Sequence, residues 1–213
     1  MIVTEAVERY TRGLRPQPDA VLAEMERHAA RDGVPIVVPQ TGAFLHVLAL
    51  ACGARKIVEV GTAIGVSTLY LARALPPGGR ITSFEIDPER HQAARGYLEQ
   101  AGVADRCDLR LTDAREGLAE LDERFDMAFI DGVKTQYGNY FERLLPLLRD
   151  GGVLAVDNVL MGGTVAEDRS DGRWSEEQIA SARAFNDRLL HREGLTGTVT
   201  PIGDGVLVAV KQR

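Results

Sequence analysis

Lys56-Ile57-Val58-Glu59-Val60-Gly61-Thr62-Ala63-Ile64-Gly65 is the stretch on which the fold turns. Lys56–Val60 is a short, mostly β-branched run closed by glycine, which reads as a buried strand. Gly61 begins a tight turn, and a helical pattern follows from Gly65 to residue 75. A strand feeding a helix through a glycine turn is the opening unit of a parallel α/β sheet. Downstream the rhythm repeats. Strands are expected at Arg80–Glu85, Cys107–Leu111, Phe125–Ile130 and residues 152–156, with helices between them, the one after Phe125–Ile130 running through Tyr140, Phe141, Leu144 and Leu148. Such alternation implies parallel strands joined by right-handed crossovers. Leu195–Thr200 and Val206–Lys211 flank Gly203-Asp204-Gly205, and a short glycine turn makes such a pair antiparallel.

Upstream of the sheet, residues 3–13 and 18–32 read as helices separated by Pro16 and Pro18, and residues 41–53 as a third. The chain is therefore expected to be one α/β domain over residues 1–213, with residues 1–54 as a helical cover and 55–213 as the core sheet. Residues 160–174 break the rhythm with Gly162, Gly163, Gly172 and acidic residues, and are expected to form a mobile loop over the site.

With 213 residues, 45% hydrophobic and 26% charged, the composition is that of a globular protein. A net charge of −6 argues against a broad grip on nucleic acid, which needs Lys and Arg to neutralise phosphates. Cys52 and Cys107 form no disulfide framework and are expected to be buried and reduced, as in a cytoplasmic protein. The N-terminus lacks the pattern of a signal peptide, and the longest mostly apolar run, residues 42–54, is too short to span a membrane.

Two acidic turns carry the chemistry. Phe129-Ile130-Asp131-Gly132-Val133-Lys134 and Ala155-Val156-Asp157-Asn158 each follow an expected strand, so both lie at the edge where open α/β sheets bind ligands. Asp131, Asp157 and Asn158 together offer three oxygen donors suited to a hard divalent cation such as Mg²⁺. The bland alternative is two solvated turns with capping side chains. Lys134 stands three residues beyond Asp131. Beside a bound cation its amine would be driven toward the neutral form, which can act as a general base. His28, His46, His91 and His191 show no metal-pair spacing. Trp174 and Tyr137 are candidates for a substrate-pocket wall, although Trp174 beside Ser175 reads equally well as a hydrophobic anchor at a helix start.

The G-x-x-x-G turn of Gly61 and Gly65 differs from the G-x-G-x-x-G of dinucleotide folds. Its helix N-terminus, with Ser67 and Thr68, favours an anion. Glu85 closes the second strand, where an acid commonly accepts hydrogen bonds from ribose hydroxyls. Glu59 is a carboxylate within an apolar strand and needs a partner, either a bound ammonium or a network of N–H groups.

These motifs together resemble the metal-dependent S-adenosylmethionine O-methyltransferases, the group of catechol and caffeoyl-CoA O-methyltransferases and their small bacterial relatives. The resemblance rests on Glu59-Val60-Gly61 with Gly65-Val66-Ser67, Phe84-Glu85-Ile86-Asp87, Phe129-Ile130-Asp131 with Lys134, and Val156-Asp157-Asn158, and it extends into Pro201-Ile202-Gly203-Asp204-Gly205. It implies a Rossmann-like seven-stranded sheet with the last strand antiparallel and helices on both faces. It further implies that Glu59, Gly61, Gly65, Ser67 and the backbone near Val37 hold the methionine end of the cofactor, that Glu85 takes the ribose, and that Asp113 and Ala114 take the adenine, with Asp131 adjoining. Asp131, Asp157 and Asn158 match the ligands of Mg²⁺, Mn²⁺ or Ca²⁺, and Lys134 matches the base. A phenolic small molecule with vicinal hydroxyls and a homodimer are the implied acceptor and assembly. Val133 departs from the tryptophan of the catechol enzymes at this place. The competing acceptor is a tRNA hydroxyuridine. A nicotinamide oxidoreductase is disfavoured by the glycine spacing, and a non-catalytic binding protein by the retention of Lys134 with all three oxygen ligands.

Overall fold

The computed structural model describes residues 4–167, 170 and 172–213. Its elements in chain order are α1 (Glu5–Gly13), α2 (Ala20–Asp32), α3 (Pro39–Ala51), β1 (Lys56–Val60), α4 (Val66–Ala74), β2 (Arg80–Glu85), α5 (Pro88–Gln100), β3 (Cys107–Leu111), α6 (Ala114–Gly117), β4 (Phe125–Ile130), α7 (Tyr137–Leu144), β5 (Leu148–Val156), α8 (Thr164–Glu167), α9 (Glu176–Leu190), β6 (Leu195–Thr200) and β7 (Val206–Lys211). The strands form one seven-stranded sheet in the order β3-β2-β1-β4-β5-β7-β6. β7 alone runs against its neighbours, pairing antiparallel with both β5 and β6. The Rossmann-like expectation and the reversed last strand are both observed.

The helices begin where local chemistry lets them. Asp19 caps α2 by accepting from the Leu22 N–H at 2.9 Å. Pro39 opens α3 two residues earlier than the sequence suggests, because proline at the first helical position gives up no hydrogen bond. Ser175 and Gln178 form a reciprocal capping box at the start of α9. The helix expected to run through Leu148 stops at Leu144. Pro146 cannot continue it, a short 3₁₀ turn intervenes, and Leu148 instead opens β5.

Two apolar layers sandwich the sheet. Met25 of α2, Leu45 of α3 and Leu69 of α4 pack with Ile57, Met127 and Phe129 on one face. Phe141 of α7 and Phe185 and Leu189 of α9 pack with Val58, Ala128 and Ile130 on the other. Register then sets the site. Val60 pairs with Phe84 and Ile130, and Ile130 with Val156. The residues that follow, Gly61, Asp131 and Asp157, therefore emerge side by side at one edge, where β1 and β4 mark the reversal of strand order.

The stretch expected to be a mobile loop holds structure in its described part. Met161 and Val165 are buried with Ile179 and Ala182 of α9, and Trp174 packs against them. Residues 168, 169 and 171 of that stretch lie outside the described residues. Cys52 and Cys107 are free and half-buried rather than buried. Among the described residues no helix is long and apolar enough to cross a membrane.

Candidate active site

A cavity of about 770 Å³ opens along the C-terminal edge of the sheet. Of the residues singled out from sequence, Val37, Gly61, Ser67, Glu85, Asp113, Ala114, Asp131, Lys134, Asp157, Asn158 and Trp174 all line it. Glu59, Gly65 and Tyr137 are not on its wall.

At one end the backbone shapes the wall. Gly61 has φ +97°, and a β-carbon there would overlap the carbonyl of Asp131. Gly65 has φ +91° at the cap of α4, with Ala94 of α5 against it. Only glycine meets both demands at low cost. Ala63 also holds positive φ, 47°, and its N–H donates to Glu85 Oε2 at 2.7 Å. Glu85 Oε1 accepts from the Ile86 and Asp87 N–H groups, each at 3.0 Å. The Glu85 carboxylate is thus fixed by three main-chain donors while still facing the cavity. Asp113 caps α6, accepting from Arg115 N at 2.8 Å, and the Arg115 side chain holds its carboxyl below the usual range.

Glu59 stands behind this wall. The pleat turns it toward α4, where its Oε2 accepts from Thr68 Oγ1 at 2.5 Å and from Ser83 Oγ at 2.6 Å. Ser83 is its register partner on β2. Its Oε1 is buried without a hydrogen-bond partner. Burial pushes its pKa up to about 6, against the pull of neighbouring hydroxyls.

At the other end the acidic turns meet. Lys134 Nζ donates to Asp131 Oδ1 at 2.9 Å, to the Tyr137 hydroxyl at 2.7 Å and to Asn158 Oδ1. Asn158 takes a left-handed φ of 58°, which for a non-glycine residue is tolerated chiefly by Asn and Asp. Asp157 Oδ1 is buried without a partner, and burial together with the Asp131 charge pushes its pKa up to about 8. Among the described residues no group of three His, Cys, Asp or Glu side chains gathers as a metal site. The donor set here is two carboxylates and one amide oxygen. An orphaned carboxylate oxygen beside a second carboxylate is a place that favours added positive charge, so these residues fit a hard cation.

Sequence reading missed the supporting contacts. Tyr137, buried beneath Lys134, carries a signal in its i+3 spacing. Asp204, brought to the cavity by the β6–β7 turn, accepts from Leu160 N and Met161 N through its carbonyl, and nothing local in the sequence marks that contact.

A family model described as O-methyltransferase matches residues 16–212. The chain belongs to the O-methyltransferase family. It is 34% identical over 203 residues to a catechol O-methyltransferase of Niastella koreensis, covering 92% of this chain and 90% of the relative. Its structure is similar to that of the O-methyltransferase TomG from Streptomyces achromogenes, solved with S-adenosylmethionine (TM-score 0.86, 31% identity, 99% of this chain and 100% of that one). An O-methyltransferase from Bacillus cereus in complex with S-adenosylhomocysteine is similarly close (TM-score 0.85, 32% identity, 97% of each chain). This O-methyltransferase is accordingly dependent on S-adenosylmethionine.

Proposed function

We propose that this O-methyltransferase methylates one hydroxyl of a vicinal aromatic diol, with a divalent cation (Mg²⁺, or Mn²⁺ or Ca²⁺) held by Asp131, Asp157 and Asn158 and with Lys134 as the base. The observation that carries the reading is the meeting of Lys134 Nζ with Asp131 and Asn158 beside the orphaned oxygen of Asp157. That the Niastella koreensis relative is a catechol O-methyltransferase supports the acceptor class.

Bound S-adenosylmethionine would supply an electrophilic methyl group on a sulfonium that leaves as a neutral thioether, and a cation held by these residues would lower the pKa of a neighbouring hydroxyl. Gly61, Ser67 and Val37 would receive the methionine part, Glu85 the ribose hydroxyls, and Asp113 with Ala114 the adenine. The preset Glu85 carboxylate binds without having to reorganise, because three N–H groups already hold it. Lys134 takes the hydroxyl proton as the oxygen becomes nucleophilic. Trp174, which also lines the cavity, would help limit access of water. Reading the chain as cytoplasmic and as a homodimer built on α1 belongs to the same proposal.

The test is methyl transfer from labelled S-adenosylmethionine to caffeic acid, 3,4-dihydroxybenzoate and dopamine, with Mg²⁺ and with EDTA. Transfer that needs the cation and is lost in Lys134→Ala supports the reading. Tight cofactor binding with no transfer to any of the three would overturn the acceptor class.

A further inference from the structure

Tyr137 is a buried phenol to which the scheme above gives no role. Its ring is locked by Phe185, which meets it edge-on with centroids 5.7 Å apart. Its hydroxyl donates to the Asp157 carbonyl at 3.1 Å, so its proton is committed to the main chain. A phenolic oxygen can still accept, and it accepts from Lys134 Nζ at 2.7 Å. Lys134 therefore has three acceptors: Asp131 Oδ1, Asn158 Oδ1 and the Tyr137 oxygen. The first two belong to the oxygen set assigned to the cation. The third does not.

We infer that Tyr137 is a positioning residue, whose hydroxyl keeps Lys134 Nζ at the acceptor when Asp131 and Asn158 are engaged elsewhere. The inference rests on the reading of Lys134 as base. The Tyr137 oxygen, fixed by its ring and by the Asp157 carbonyl, restricts where Nζ can move, as second partners orient other catalytic groups. The proton leaves the acceptor hydroxyl and joins Nζ, while the Tyr137 proton stays on its own oxygen, hydrogen-bonded to the Asp157 carbonyl.

Tyr137→Phe removes one oxygen and keeps the ring against Phe185. The expected result is a fall in kcat of about 10- to 100-fold. The acceptor KM, S-adenosylmethionine affinity and Mg²⁺ affinity by calorimetry should stay within about twofold. With Mg²⁺ in excess, acylation of Lys134, followed by peptide mass spectrometry, should quicken several-fold in Tyr137→Phe while Lys56 and Lys211 react as before. In a Lys134→Ala background with measurable residual turnover, Tyr137→Phe should cost nothing more. Wild-type kcat, unchanged Lys134 acylation, or an equal loss in the Lys134→Ala background would overturn the inference. If Lys134→Ala itself keeps full turnover, the base assignment fails; if that variant is inactive while Tyr137→Phe is normal, only the role of Tyr137 fails.

Discussion

The α-carbon of Gly61 is seated against the backbone carbonyl of Asp131, leaving no room between the β1 and β4 turns for a β-carbon. The same contact joins the two ends of the cavity, because Gly61 shapes one wall and Asp131 carries oxygen at the other. Gly61→Ala should cost about 2–4 kcal/mol, combining overlap with backbone strain at φ +97°. Urea unfolding measures the loss, and S-adenosylmethionine affinity should fall with it. Gly65→Ala meets a side-chain carbon of Ala94 at 3.2 Å instead of a carbonyl, and should be milder. Equal effects at the two positions would show that strain, and not the Asp131 contact, dominates.

Glu59 makes stability depend on pH. Its usual pKa of 4.5 is raised by burial to about 6 in the folded chain. The folded state therefore binds the extra proton between those values. Its contribution is fully present below about pH 4.5 and is lost as pH rises through 6, a change of about 2 kcal/mol. Glu59→Gln should flatten that part of the profile and stabilise the protein by about 1–2 kcal/mol above pH 6. The buried negative charge also lies behind the wall proposed to receive the cationic cofactor, so the same variant should bind S-adenosylmethionine about tenfold more weakly. Thermal melts from pH 4 to 8, with cofactor titrations at pH 8, check both halves. A variant as pH-dependent as the wild type would remove Glu59 from the explanation.

The legible and illegible parts of this chain divide on physical grounds. Asp131, Asp157 and Asn158 could be read together because each follows an apolar strand, and parallel register sets the ends of neighbouring strands level. Gly61 and Gly65 were readable because a turn that tight admits few residues. Glu59 was legible as an anomaly, but its place behind the wall follows from the pleat. It shares a face with Ile57, and that alternation was available in the sequence. The burial of Met161 and Val165 was not, since it depends on Ile179 and Ala182 of a helix that comes later in the chain. The same holds for Asp204, delivered by a turn some 47 residues beyond Asp157.

If the proposed cation sits on these oxygens, Asp157 would tie its binding to stability. Its orphaned oxygen and the facing Asp131 charge weaken the cation-free protein. Mg²⁺ at about 100 times its Kd should stabilise the wild type by about 2.7 kcal/mol, and EDTA should reverse that along with activity. Asp157→Asn should raise the Tm without added metal, abolish the Mg²⁺-dependent shift, and lower turnover by about 100-fold or more. Differential scanning fluorimetry with and without EDTA reads the first two effects. A wild-type Tm indifferent to Mg²⁺ would argue against a cation on these oxygens.

α1 buries none of its residues within the chain. A nine-residue helix is marginal in water by itself, so its apolar face needs a partner. Val7, Tyr10 and Leu14 recur at helical spacing and are exposed, as are Val47 and Leu50 of α3. The ion pairs Arg9–Glu5 and Arg12–Glu8 supply a charged surface suited to water. Arg15 and Glu26, 2.5 Å apart, tie the segment that follows α1 to α2. A second copy of the chain, offering the same apolar face about a twofold axis, would cover that face. The wild type should therefore scatter light as a particle of twice 23.2 kDa. Tyr10→Asp with Leu14→Asp should give a species of 23.2 kDa, with weaker helical circular dichroism as α1 frays. A wild-type chain that is monomeric at micromolar concentration would leave α1 without the second copy proposed for it.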